Sequence, residues 1–241
     1  MSMEFQDFSE YLIQEFSKLQ IPLEDKQVRM FFQYYEELII WNKKMNLTAI
    51  TEGHEVIDKH FFDSASLLSA YPIKEKGVSF CDIGTGAGFP GIPLAILRPD
   101  CSFTLMDSLQ KRIDFLDHMI QLLSLENVRT IHGRFEDLGK KTEFREKYDY
   151  VVSRAVARLP MLLEFGVPFS KKGGHLLFYK SKELSLELAE SENALTVLNT
   201  QVEDVIKIPA KEERSLLVLY KFENTSEKYP RNPGRIKKNP L

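Results

Sequence analysis

"VSFCDIGTGAGFPGIPLAIL", residues 78–97, decides the fold of this chain. Val78 to Ile83 read as a short buried strand, and "PGIPLAIL" reads as the start of a helix. Between them stand Gly84, Gly86 and Gly88, with Pro90 and Gly91 at the helix entry, where proline is tolerated. A glycine turn joining strand to helix is the shape of a cofactor cradle. Chemistry has to decide which cofactor fits it.

Downstream, strand and helix alternate. "SFTLMD" is a second strand, and "LQKRIDFLDHMIQLL" an amphipathic helix with Ile113, Leu116, Ile120 and Leu123 on one face. "VRTIHG" and "DYVVSR" are the third and fourth strands. A helix from about Leu159 to Phe169, the strand "GHLLFYK", a helix near 183–199 and strands at "VEDVIKI" and "SLLVLYKF" complete the series. Such alternation predicts an α/β, Rossmann-like fold around a mostly parallel sheet covered on both faces. The gap holding Pro209 is too short for a helical crossover, so the last two strands are expected to pair antiparallel. Upstream, residues 4 to about 71 read as helical. Phe5, Phe8, Leu12, Phe16 and Leu19 recur at three and four, as do Val28, Phe31, Phe32, Tyr35, Leu38 and Ile39, and then Ile57, Phe61, Ser64 and Leu68. The expected division is a helical extension over 1–72, an α/β domain over 73–224 and a basic tail over 225–241.

Two glycine patterns overlap in the loop. Gly86, Gly88 and Gly91 spell the dinucleotide fingerprint GxGxxG, whereas Gly84, Gly86 and Gly88 spell GxGxG. The first glycine of a dinucleotide motif ends the strand, a place held by Gly84, and the pattern counted from there requires glycine where Phe89 stands. A pyrophosphate is also badly served by an acid at the strand's end. S-adenosylmethionine has no phosphate and carries an ammonium and a sulfonium, which Asp82 suits directly or through water. Asp107, 23 residues after Gly84, ends the second strand, where a carboxylate accepts from ribose hydroxyls in either cofactor class. Phe135 and Glu136 follow the third strand, where an adenine would lie. The loop favours S-adenosylmethionine and leaves a nicotinamide-dependent oxidoreductase as the rival.

Ligands of open α/β sheets collect at the carboxyl ends of the strands. That places Ser153, Arg154 and Arg158 beyond the cofactor; Arg154 lines it, holds a phosphate or base edge, or pairs with a nearby acid. No Asn-Pro-Pro-aromatic motif is present for methylating an exocyclic amine, and no Pro-Cys pair for attack on a pyrimidine. No His, Asp and Glu cluster has metal-ligand spacing. A transferase without an evident base suits an acceptor with a free lone pair, such as guanine N7. Of the five histidines, His118, His132, His54 and His175 read as structural or near turns, and His60, with Asp63 on the next turn, as packing. "IIWNKKMNLTAI" sets Trp41, Asn42 and Asn46 around Lys43 and Lys44. It reads as a stacking and phosphate-contact surface, or as a helix C-terminus closed by asparagine with lysines on its dipole.

A net charge of −3 hides an asymmetry: no acid follows Glu227, and the tail carries Lys228, Arg231, Arg235, Lys237 and Lys238. Such an end suits a polyanionic partner, or is a solvated, disordered terminus. Cys81 and Cys101 lie in apolar runs, which fits a reducing compartment. The acidic start "MSMEFQDFSEY" lacks an export signal and no apolar run reaches membrane-spanning length, so a cytoplasmic protein without membrane or metal is expected.

With these residues in place the chain resembles the glucose-inhibited division protein B (RsmG) family, bacterial 16S rRNA guanine-N7 methyltransferases. "WNKKMNLTAI", "HFFDS", "DIGTGAGFPGIPLAI", "LMDSLQKRIDFL", "GRFED", "SRAVA" and "YPRNPG" carry the resemblance over nearly the full length. It implies a class I S-adenosylmethionine-dependent methyltransferase fold with an N-terminal helical extension, and methylation of one guanosine in the small-subunit decoding region. Implied cofactor contacts are Gly84, Phe89, Phe135, Glu136 and Arg154, with Asp107 at the ribose. The loop reading adds Asp82 and Gly86 at the amino acid end. Lys43, Lys44, Arg231, Arg235, Lys237 and Lys238 are the candidates for RNA phosphates. The family often has a small residue where Phe135 stands, which implies a backbone contact there. Ser181 follows Lys180 where relatives usually have glycine, so no role is carried to that turn. A non-catalytic rRNA-binding or ribosome-assembly protein on the same fold is the remaining alternative.

Overall fold

A computed structural model describes residues 3–209 and 213–241. The chain opens with α1 (Phe5–Lys18) and α2 (Asp25–Met45). Glu24 and Gln27 bond reciprocally at the start of α2 in a capping box, and Asn46 closes its end in the left-handed region. α3 (Gly53–Val56) runs through a π-helical turn, Ile57–Phe62, into α4 (Asp63–Ala70). There follow β1 (Ser79–Ile83), α5 (Gly91–Leu97), β2 (Ser102–Asp107), α6 (Gln110–Leu122), β3 (Val128–His132) and α7 (Phe135–Leu138). Then come β4 (Tyr148–Arg154), α8 (Leu159–Gly166), β5 (Ser170–Lys180), α9 (Leu184–Glu190), α10 (Glu192–Val197), β6 (Thr200–Ile208), β7 (Arg214–Lys221) and α11 (Pro233–Lys238).

The seven strands form one sheet in the order β3-β2-β1-β4-β5-β7-β6. β1 to β5 pair in parallel, and β7 enters antiparallel between β5 and β6. The expected parallel sheet with an antiparallel end is therefore present. Two expected helices are each broken in two. Pro168 turns the end of α8 into a short 3-10 turn, Val167–Phe169. Residues 183–199 divide at Ser191, whose buried Oγ donates to the Glu187 carbonyl instead of letting the helix run on.

Side chains alternate across each strand, so each face gathers its own core. Phe80, Phe103, Tyr150 and Val152 meet the aromatic stripe of Phe8, Phe31, Tyr34 and Phe61 from the N-terminal helices in one continuous cluster. Cys81, Ile83, Met106 and Val151 pack on the other face against Leu159, Leu163 and Ala194. Both cysteines are free and buried. Each fully buried phenylalanine of the first cluster contributes about 1.5–3 kcal/mol, which is why the extension lies fixed on the sheet. Parity also sets function: Arg154, four residues after Tyr150 on β4, belongs to the face that the extension covers.

The tail is ordered. Arg145 donates to the carbonyls of Gly139, Thr225, Ser226 and Tyr229, and Ile236 of α11 is fully buried. Arg231 makes a forked ion pair with Glu164 of α8, at 2.7 Å between Nη2 and Oε2, with Glu164 wholly inaccessible. Among the described residues no helix is long and apolar enough to cross a membrane, and no group of His, Cys, Asp and Glu could hold a metal.

Candidate active site

The glycine loop leaves β1 at the centre of the sheet, where the strand order reverses between β2 and β4. Gly84 and Thr85 donate to the Met106 carbonyl, which ties the loop to β2. Gly84 has φ +72°, and a Cβ there would collide with the side chain of Val156. Gly91 sits so close to Leu105 and Asp82 that a side chain would have to displace both. Gly86 faces open space, and its N–H donates to Asp107 Oδ2 at 3.0 Å.

Asp82 is fully buried under this loop. Its Oδ2 accepts from Gly91 N–H at 2.9 Å, while Oδ1 and the buried Thr85 Oγ1 have no partner. Burial is the main cause that pushes its carboxyl up to about 7. Asp82 thus supports the loop and the start of α5 from below. Asp107 is also almost inaccessible, with Oδ1 accepting from Leu109 N–H at 2.9 Å and Oδ2 paired with Arg112 at 3.1 Å. His132 at the end of β3 lies in register with Asp107, so α7 starts beside that carboxylate. There Glu136 is buried, and the half-buried ring of Phe135 turns towards Phe165, 5.9 Å away. The Phe135 ring thus packs within the fold.

Phe89 ties the loop to the N-terminal helices. Its ring leaves the loop and stacks between Tyr34 at 5.3 Å and His60 at 4.5 Å. Tyr34 in turn donates from its hydroxyl to the Ala87 carbonyl. Arg154 closes the assembly: Cζ lies 5.3 Å from the Phe89 ring centre, and Nη1 donates to Asp63 Oδ2 at 2.6 Å and to the Lys59 carbonyl at 2.8 Å. Nη2 lies 3.3 Å from His60 Nδ1. Nδ1 also lies 3.1 Å from the Lys59 carbonyl, and Nε2 lies 2.9 Å from Thr48 Oγ1, so both ring nitrogens have polar partners. Burial first, then the Arg154 charge, holds the imidazole down to about 3, so it is neutral. The π-helical turn brings His60 and Asp63 onto one side, a use such turns often serve. Of the readings of Arg154, the pairing with an acid is visible as the ion pair with Asp63.

Beyond the loop lies a cavity of about 320 Å³ between residues 155–158 and the ends of β5 and β7. Val156, the side chain against Gly84, is one wall; Lys180, Glu187, Arg158 and Arg214 contribute charge. Lys180 Nζ and Leu159 N–H both donate to Glu187 Oε2, at 2.5 and 2.6 Å. Neither Lys180 nor Glu187 was singled out by the motifs, although Lys180 stands where a strand's carboxyl end predicts a ligand contact.

The RNA candidates separate. Lys43, Lys44, Arg235, Lys237 and Lys238 are exposed, whereas Arg231 is paired with the buried Glu164 and anchors the tail. Trp41 is half-buried, packs on Phe115 and His118 and donates to Glu37. Asn42 accepts from Thr48 N–H, which leaves this segment the helix end that its composition also allowed. The terminal Pro240 and Leu241 line a small pocket with Arg158 and Met161, which brings the tail's end to the same edge as the cavity.

Comparison with known proteins agrees with this geometry. The family described as "GidB: rRNA small subunit methyltransferase G" matches residues 27–217. The ribosomal RNA small subunit methyltransferase G of Clostridium botulinum (strain Loch Maree / Type A3) is 44% identical over 238 residues, 98% of this chain and 99% of the relative. That of Lachnoclostridium phytofermentans is 48% identical over 232 residues, 95% and 96% of the two chains. Among solved structures, the mitomycin 7-O-methyltransferase MmcR has TM-score 0.57 at 13% identity, covering 78% of this chain and 60% of that one. A ribosomal protein L11 methylase from Lactobacillus delbrueckii subsp. bulgaricus has TM-score 0.52 at 14% identity, covering 74% and 88%. These two show the fold alone, that of class I S-adenosylmethionine-dependent methyltransferases. A glycine loop built without a dinucleotide spacing, a carboxylate ending β2 and the full-length relatives lead to one assignment: the chain belongs to the rRNA small subunit methyltransferase G family.

Proposed function

We propose that this chain methylates N7 of one guanosine in 16S rRNA, with S-adenosylmethionine as donor and the small ribosomal subunit or an assembly intermediate as its cytoplasmic substrate. The observation that carries the reading is the glycine loop joined to Asp107 through the Gly86 N–H and flanked by a charged cavity. The residues fit the donor: open space above Gly86 admits it, and the Asp82 and Thr85 side chains beneath the loop hold polar oxygens without a partner. Gly84 and Gly86 shape the amino acid end, Asp107 the ribose, and the 135–136 backbone with Glu136 the adenine. S-adenosylmethionine held there would supply a sulfonium-activated methyl carbon to the N7 lone pair.

N7 carries no proton to remove, so these residues need only hold two partners in line and keep water out. Arg154 holds Phe89, and with it the loop, at a fixed height. Lys43, Lys44, Arg235, Lys237 and Lys238 meet phosphates, and the target base leaves its stack to enter. Incubation of the protein with labelled methyl donor and undermodified small subunits, followed by mapping of the labelled base, tests the reading. Label confined to 7-methylguanosine at one site is expected; no transfer to rRNA overturns it.

A further inference from the structure

The cavity beside the loop holds more than positive charge for a phosphate. Glu187 lines it, is 6% exposed, and uses only Oε2 for its two protein donors. Among the described residues Oε1 accepts no hydrogen bond, yet it is not one of the buried atoms left without a partner, so it opens onto the cavity. Oε2 is fixed by Lys180 and by the first backbone N–H of α8, which holds the carboxylate in one orientation. A buried acceptor held in this way asks for a donor on whatever enters.

We infer that Glu187 reads the Watson–Crick edge of the target guanine and is the residue that selects this base. The inference rests on the methyltransferase reading above. Guanine is the only standard base whose edge presents two adjacent donors, N1–H and the N2 amino group, and the open Oε1, with both lone pairs free, can accept them together. Adenine offers N1 as an acceptor, and cytosine and uracil present one donor beside an acceptor. N7 lies on the opposite side of the purine from N2, so a base held at that edge keeps its nucleophile clear of Glu187. Val156, on another wall of the same cavity, rests on Gly84, so the cavity adjoins the loop that takes the methyl donor. Lys180 balances the carboxylate charge, and a neutral base can enter without leaving a charge uncompensated.

The test uses the full chain, labelled S-adenosylmethionine and two undermodified rRNA substrates, one with guanosine and one with inosine at the modified position. Inosine keeps N7 and N1–H and lacks only the N2 amino group. Loss of one donor to a buried carboxylate is expected to lower kcat/KM for inosine roughly 10- to 100-fold. Glu187→Gln keeps an oxygen for Lys180 and Leu159 N–H but presents an amide in place of an acceptor. In that variant the guanosine-to-inosine ratio is expected to fall towards one, with affinity for S-adenosylmethionine unchanged. Equal methylation of inosine and guanosine by the unaltered chain overturns the inference, as does an unchanged ratio in Glu187→Gln. Absence of transfer to the guanosine substrate overturns the methyltransferase reading itself, and the two failures are thereby told apart.

Discussion

Nη1 of Arg154 lies 2.6 Å from Oδ2 of Asp63, an ion pair between the end of β4 and the N-terminal helices with both side chains nearly inaccessible. Because the same guanidinium lies over the Phe89 ring, the helical extension sets the position of the glycine loop. Asp63→Ala leaves a buried arginine unpaired, and a loss of about 3–5 kcal/mol in unfolding free energy is expected. Calorimetry on the variant at a temperature where it is folded should also show weaker S-adenosylmethionine binding. Wild-type affinity would detach the loop from the extension.

Asp107→Ala should weaken S-adenosylmethionine roughly 10- to 100-fold, since the ribose then loses charge-assisted bonds worth about 1.5–3 kcal/mol each. It also releases the Gly86 N–H. Gly84→Val adds a side chain where φ is +72° and Val156 already stands, so it should lose the cofactor altogether. Titration calorimetry measures both.

Asp82 gives a pH signature. Its carboxyl is ordinary in the unfolded chain and raised to about 7 in the fold by burial, so between about pH 4 and 7 the native state holds the extra proton. Stability from this group is therefore present at low pH and declines as pH rises through that window. His60 acts oppositely: held down to about 3, it favours the fold above pH 6.5 and loses that contribution as pH falls. Asp82→Asn, which keeps an acceptor for Gly91 N–H, should gain stability relative to the parent as pH rises from 4 to 7, by a total on the order of 4 kcal/mol. Denaturant melts at several pH values check it; parallel curves for parent and variant would refute the buried carboxyl.

The tail calls for two variants with opposite outcomes. Neutralising Arg235, Lys237 and Lys238 to glutamine should change stability by no more than about 0.5 kcal/mol. It should weaken rRNA binding and flatten its salt dependence, the slope falling by about 0.7–0.9 for each phosphate the tail no longer neutralises. Arg231→Ala should instead destabilise the fold by about 3–5 kcal/mol, because Glu164 is left buried and alone. Filter binding over a salt series and thermal melts separate the two.

The sheet, its order of elements and the loop were legible because strand and helix periods differ and because Phe89 breaks the dinucleotide spacing. What sequence could not show were partners distant along the chain. Arg231 reads as one more tail cation until Glu164, 67 residues earlier, is found beneath it. Arg154 and Asp63 are 91 residues apart, and the π-helical turn that aims Asp63 has no motif of its own. Phe89 sits within the loop motif, yet its ring faces away because Tyr34 and His60 offer a stack on the other side. Glu187 looks like any surface acid of an amphipathic helix, since nothing local announces Lys180 across from it.

The column of Tyr34, Phe89 and His60 makes α2 and the glycine loop parts of one solid. Lys43 and Lys44 ride on the far end of that helix, so any tilt that a bound nucleic acid forces on it is felt at Ala87, where the Tyr34 hydroxyl is tethered. Reciprocity then follows: whatever factor the transcript imposes on affinity for the methyl donor, the donor returns to the transcript.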